Sequence, residues 1–90
     1  MEGFVEHLDA WVQREAPPED LLFLVIPWIM TRYDDPYRGV QREPDFDNLW
    51  FGRVPDTDDG SGAVVTCSYW IDELDRTVRC NSIARLNWPV

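Results

Sequence analysis

The sequence predicts an α+β domain: two N-terminal helices packed on a three-stranded antiparallel sheet. Three observations carry that prediction. Apolar residues recur at helical spacing through residue 34, and at alternating spacing between residues 48 and 86. Between the first strand and the last two lies one polar, glycine-rich loop, "DTDDGSG". Ninety residues make a single domain, 1–90, with room for one modest core. Its helical half is 1–34 and its sheet 48–86.

Phe4, Val5, Leu8, Trp11 and Val12 fall at i, i+1, i+4, i+7 and i+8, with Glu2, Glu6, Asp9, Gln13 and Arg14 mostly on the other side. This predicts helix one over about residues 2–15, ended by Pro17-Pro18. Pro18 then suits a first helical turn, and Glu19 and Asp20 put negative charge at the positive end of a second helix dipole. Helix two spans about 18–33. Within it, Leu21–Ile26 alone also reads as a buried strand, and Pro27 removes a hydrogen bond and kinks a helix. The helix-start signals, and the lack of turn chemistry between Ile26 and Trp28, favour a kinked helix.

After "RYDDPYRG" the pattern turns to strands. "NLWFGRVP" is a short strand ended by Pro55, and "AVVTCSYWID" and "TVRCNSIARL" are two arms around a tight turn. A turn closed by Asp72 opposite Thr77 pairs Tyr69 with Cys80 and Ile71 with Val78. Val65, Cys67, Tyr69, Ile71, Val78 and Cys80 then share the face under the helices. Leu8, Trp11 and Val25 complete the expected core.

In this register Cys67 lies diagonal to Cys80, too far for relaxed disulfide geometry. A register two residues shorter would oppose them, so a disulfide stays open as the alternative to two buried thiols. Two cysteines and one distant histidine, His7, fall short of a structural zinc site. Ser68, Trp70, Thr77 and Arg79 point to the uncovered face. Trp70 beside Arg79 has the composition of a partner-binding anchor. Alternatively, the C-terminal tail "LNWPV", with Trp88, covers Trp70.

Seventeen acidic residues against eight basic ones, all arginine, give a formal charge of −9. That balance opposes gripping a nucleic-acid backbone and suits a basic protein partner or plain solubility. The longest apolar run, Leu21–Met30, is ten residues and contains a proline, well short of the ~20 that span a bilayer. The N-terminus lacks the basic start of a secretory signal, so the cytoplasm is the expected location. "DTDDGSG" fails the calcium-loop spacing, because glycine is fifth from Asp56 and position twelve is Cys67. No phosphate loop is present, and no nucleophile has a convincing histidine base. No cofactor or metal is expected.

"APPEDLL" opening a second helix, "DDPYRGV" closing it, the strand "NLWFGRV" and the hairpin "VVTCSYWIDELDRTVRCNSIARL" together resemble the RelE/ParE toxin superfamily of toxin–antitoxin systems, over about residues 5–86. The resemblance implies two helices on an antiparallel sheet. It implies one of two activities: mRNA cleavage on the ribosome, by basic and aromatic residues of the sheet and C-terminus, or gyrase inhibition by protein binding. The chain departs from the family in opening directly with helix one, in carrying Val65 or Thr66 where the ribonucleases usually have a strand arginine, and in lacking a basic, tyrosine-bearing tail.

The expected function is therefore a small, acidic protein-interaction module on a RelE/ParE-like scaffold, with Trp70, Arg79 and Trp88 as partner-binding residues. Its partner would be an antitoxin, a second copy or an enzyme that it inhibits. Two alternatives stand beside it. One is a ribonuclease toxin using Arg53, Arg79 and Arg85; the other, from charge alone, is an immunity-type inhibitor of a basic nuclease.

Overall fold

Gly3, at φ +73°, turns the chain from a short extended start into its first helix. The computed structural model describes residues 1–58 and 60–87. Helix α1, Phe4–Glu15, buries Trp11 and packs Phe4, Leu8 and Val12 against the core, whereas Val5 lies outside on the exposed side. Ala16 ends α1 in the left-handed region, φ 45°, with its N–H on the Val12 carbonyl at 2.8 Å. That conformation costs a residue with a Cβ about 1–2 kcal/mol, and Pro17-Pro18 forbid a further turn.

Helix α2, Glu19–Met30, runs on into a 3-10 turn at Thr31–Tyr33. Leu21–Ile26 is thus helix, and its strand reading falls. Pro27 sits inside α2 on an exposed position, with no N–H to give the Phe23 carbonyl. Val25 and Ile29 are fully buried from α2.

The sheet is an antiparallel meander of four strands, one more than expected: β1 Gln41–Arg42, β2 Leu49–Arg53, β3 Ala63–Asp72 and β4 Thr77–Asn87. The unexpected strand is β1. It pairs Gln41 with Phe51 and Arg42 with Trp50, and two polar residues show no alternation to detect. Gly52 makes room for the approach to β1, since a Cβ there would lie 2.7 Å from the Val40 side chain. Beyond β2, Thr57 continues the ladder through its side chain. Its hydroxyl donates to the Val54 carbonyl at 2.8 Å and accepts the Val65 N–H at 2.9 Å, in a fully buried position.

The hairpin register is the predicted one from the turn outward: Asp72 opposite Thr77, Ile71 opposite Val78, Tyr69 opposite Cys80. A β-bulge then interrupts it. Ser68 pairs with Ser82, so Asn81 is skipped, and every later residue of β4 changes face. Ile83, opposite Cys67, therefore reaches the core at 2% exposure.

The outer edge of β4 is tied off by the helical half. Glu2 accepts the Cys80 N–H through its carbonyl and donates its own N–H to the Val78 carbonyl, at 2.8 and 2.7 Å. A single parallel bridge therefore precedes α1, where the sequence alone suggested a direct start in the helix. Farther along, Arg14 donates to the Ile83 carbonyl at 3.1 Å, and the Arg85 N–H meets the Glu15 carboxylate at 3.4 Å. Among the described residues, no helix is long and apolar enough to cross a membrane.

Candidate partner-binding faces

Strand alternation sends Leu49, Phe51 and Arg53 of β2, Thr66, Ser68 and Trp70 of β3, and Arg79 of β4 to the face away from the helices. Trp70 lies between Leu49 and Arg79. It is half-buried, because Phe46 of the β1–β2 connection meets it edge-on at 5.6 Å between ring centroids. Leu49 is buried on the same face. Among the described residues the cover on this tryptophan is Phe46; the expected cover by the tail "LNWPV" falls largely outside the described residues. Trp88 lies outside the described residues. The middle of the face is polar and internally satisfied: the Ser68 and Ser82 hydroxyls are 2.8 Å apart, and Asn81 donates to Ser68 at 3.0 Å.

Arg53, Arg79 and Arg85 are not brought together. Arg53 pairs with Thr66 and Arg79 with Trp70, on strands either side of β3. Strand geometry puts their Cα atoms roughly 16 Å apart. Arg85 pairs with Val65 on the other face, where the bulge has turned it toward α1. Without the bulge it would share the face of Arg79.

The second face is on α2. Val25, Ile29 and Arg32 point inward, which leaves Phe23, Ile26, Pro27, Met30 and Tyr33 along the outer side at i, i+3, i+4, i+7 and i+10. Phe23 and Tyr33 are each 69% exposed and Met30 49%, and Leu24 flanks the stripe. Taking roughly 200 Å² for a side chain of this size, Phe23, Leu24, Ile26, Met30 and Tyr33 show about 500 Å² of apolar surface. That is in the upper range of the largest patch on an ordinary monomer. No charged residue lies between Asp20 and Arg32. The sequence signal for this face was present but went unread: "LLFLVIPWIM" is apolar all round, and a helix on one side of a sheet can bury only one side.

Beneath α2 the inner stripe ends in a cation. Arg32, 4% exposed, stacks on Trp28 at 4.2 Å from the ring centroid. It donates to the Arg38 carbonyl at 2.7 Å, to the Thr31 hydroxyl at 3.1 Å and to the Tyr69 hydroxyl at 3.4 Å. Tyr69 in turn donates to the Pro36 carbonyl. Burial pushes the Tyr69 hydroxyl above its usual pKa, and the Arg32 charge opposes that shift. This node anchors the end of α2 and the "DDPYRG" segment to the sheet.

A cleft of about 710 Å³ opens on one side of Arg32, toward Tyr37, Ile71 and Glu73, and another of about 760 Å³ on the other side, toward Arg38 and Asp56. Tyr37 donates to Glu73, and that bond, followed by burial, raises its pKa. Acidic and basic side chains are mixed in both clefts, so neither presents a field of one sign. Among the described residues, no group of three His, Cys, Asp or Glu side chains is placed to hold a metal ion.

Cys67 and Cys80 are free thiols in the core. The influence of the neighbouring Cys80 thiol, reinforced by burial, holds Cys67 well above its usual pKa, and the influence of Cys67 lowers Cys80. His7, whose ring N–H donates to the Gly3 carbonyl at 2.9 Å, adds a smaller lowering influence on Cys80.

No protein-family model, curated protein or solved structure matches the chain.

Proposed function

We propose that this chain is a small protein-interaction module on a RelE/ParE-like scaffold, acting by binding a protein partner through the outer face of α2. One observation carries the reading: the uncharged apolar stripe Phe23–Ile26–Pro27–Met30–Tyr33 stands exposed on a helix whose other side is fully engaged. Burying such a stripe is favourable at about 25 cal/mol per Å², before the costs of association are subtracted. The open sheet face supports the same class of function less strongly, because Phe46 already covers Trp70. The separation of Arg53 and Arg79, with Arg85 on the opposite face, favours binding over RNA cleavage. An antitoxin, or an enzyme held inactive, would each be a partner of the required kind.

The test is a complex purified at fixed stoichiometry, compared between wild type, Phe23→Ser/Met30→Ser and Trp70→Ala. The α2 variant should lose about 2 kcal/mol or more of binding, as truncated anchors do, with its circular dichroism unchanged. Binding that survives in the α2 variant and is lost in Trp70→Ala would move the site to the sheet. Growth arrest on expression, relieved by the product of an adjacent gene and abolished by replacing Arg53, Arg79 and Arg85 with Ala, would overturn the module in favour of a ribonuclease toxin.

A further inference from the structure

The α2 stripe has acidic ends. Glu19 and Asp20 stand exposed at its start, and Asp34 and Asp35 just beyond Tyr33. Arg32, the one cation in this stretch, is turned inward and buried. The outer face is therefore apolar and uncharged over its middle and carries exposed carboxylates at both ends, with Arg38 beside Asp34 and Asp35 in the cleft beyond.

From this, and resting on the proposed docking role of α2, we infer that the occupant is an amphipathic helix of a different protein, with an apolar stripe and basic residues at both ends. Two arguments lead there. The middle of the face has no charge to pair with, so a partner charge buried there would go uncompensated. From Glu19 through the 3-10 turn to Asp34 the rise is roughly 24 Å, longer than the ~8 Å Debye length at physiological salt. The two acidic ends thus act independently, and each selects its own basic partner group.

A second copy fits badly. Packed antiparallel, α2 on α2 sets Glu19 and Asp20 of one chain against Asp34 and Asp35 of the other. Packed parallel, each acidic end meets its own copy. Both arrangements place like charges together, on a chain that already carries −9. The same sign argues against an anionic lipid surface.

Two synthetic helical peptides test the inference by calorimetric titration. Both carry leucines at i, i+3, i+4 and i+7 on an Ala/Gln background; one has two lysines at each end, the other two glutamates. A third peptide keeps the lysines but scrambles the leucines off a single face. The expected result is that the lysine-ended peptide binds about tenfold or more tighter than the glutamate-ended one. The gap should shrink in high salt, and it should close in Glu19→Gln/Asp20→Asn/Asp34→Asn/Asp35→Asn. The scrambled peptide should fail to bind.

Equal binding of both unscrambled peptides, lost in Phe23→Ser/Met30→Ser, would overturn the charge selection and leave α2 as the docking face. Sedimentation as a dimer that the same α2 variant makes monomeric would overturn the inference in favour of a second copy. Binding of the lysine-ended and scrambled peptides alike, unaffected by the α2 variant, would overturn both the inference and the docking face.

Discussion

The two outward faces of this small domain are finished to different degrees. On the sheet, Trp70 and Leu49 are large apolar residues placed toward solvent by alternation, and the chain folds Phe46 back over Trp70 while Leu49 is buried. On α2, Phe23, Met30 and Tyr33 are just as large, and no described element is folded back over them. The contrast teaches where to look for a partner. An aromatic on an open face is weak evidence when a connecting loop can reach it, and an apolar helix with one side already committed is stronger evidence.

The largest effect that sharpens the contrast lies within α2 itself. Ile29→Ala, on the inner side, should cost about 2–5 kcal/mol in urea denaturation, while its neighbour Met30→Ser should stay within about 0.5 kcal/mol. Comparable losses for the two would mean that the outer side is not free. Next comes the covered tryptophan. Trp70→Ala should cost roughly 2 kcal/mol, below the 3–5 of a fully buried aromatic because the residue is only half-buried. A loss near zero would reopen the sheet as a bare interface. Smaller still, Phe46→Ala should cost about 1 kcal/mol, the worth of an edge-on aromatic pair with little burial, and should raise quenching of the tryptophan fluorescence. Unchanged quenching would remove Phe46 as the cover. Between the faces lie the two thiols, Cys67 and Cys80. Native protein should react slowly with a thiol reagent and denatured protein should titrate both cysteines; a disulfide recovered without added oxidant would contradict the free pair.

Much of this arrangement was legible in the residues. Turn length and parity were enough to place Tyr69 opposite Cys80, and the i, i+4, i+7 spacing was enough for α1. What was missed has specific causes. β1 is two polar residues whose pairing depends on Gly52 across the sheet, a tertiary fact with no local pattern. The bulge at Asn81 did leave a trace, because the apolar spacing of Val78, Cys80 and Ile83 breaks from two to three. Reading that break would have moved Arg85 off the face of Arg79. The outer face of α2 was obscured because Leu21–Ile26 also reads as a buried strand, which has no outer side to present.

The ties along β4 have a consequence of another kind. A strand edge with bare N–H and C=O groups is a template on which a further chain can add its own strand, the first step of open-ended assembly. Here the template is blocked twice, by the main chain of Glu2 at Val78 and Cys80 and by Arg14 and Glu15 at Ile83 and Arg85. The last turn of α1 thus does more than pack its apolar side: its charged end residues keep the sheet finite. Loss of those two side chains should show first as slow, concentration-dependent fibre or oligomer growth in a protein whose fold and α2 face are intact.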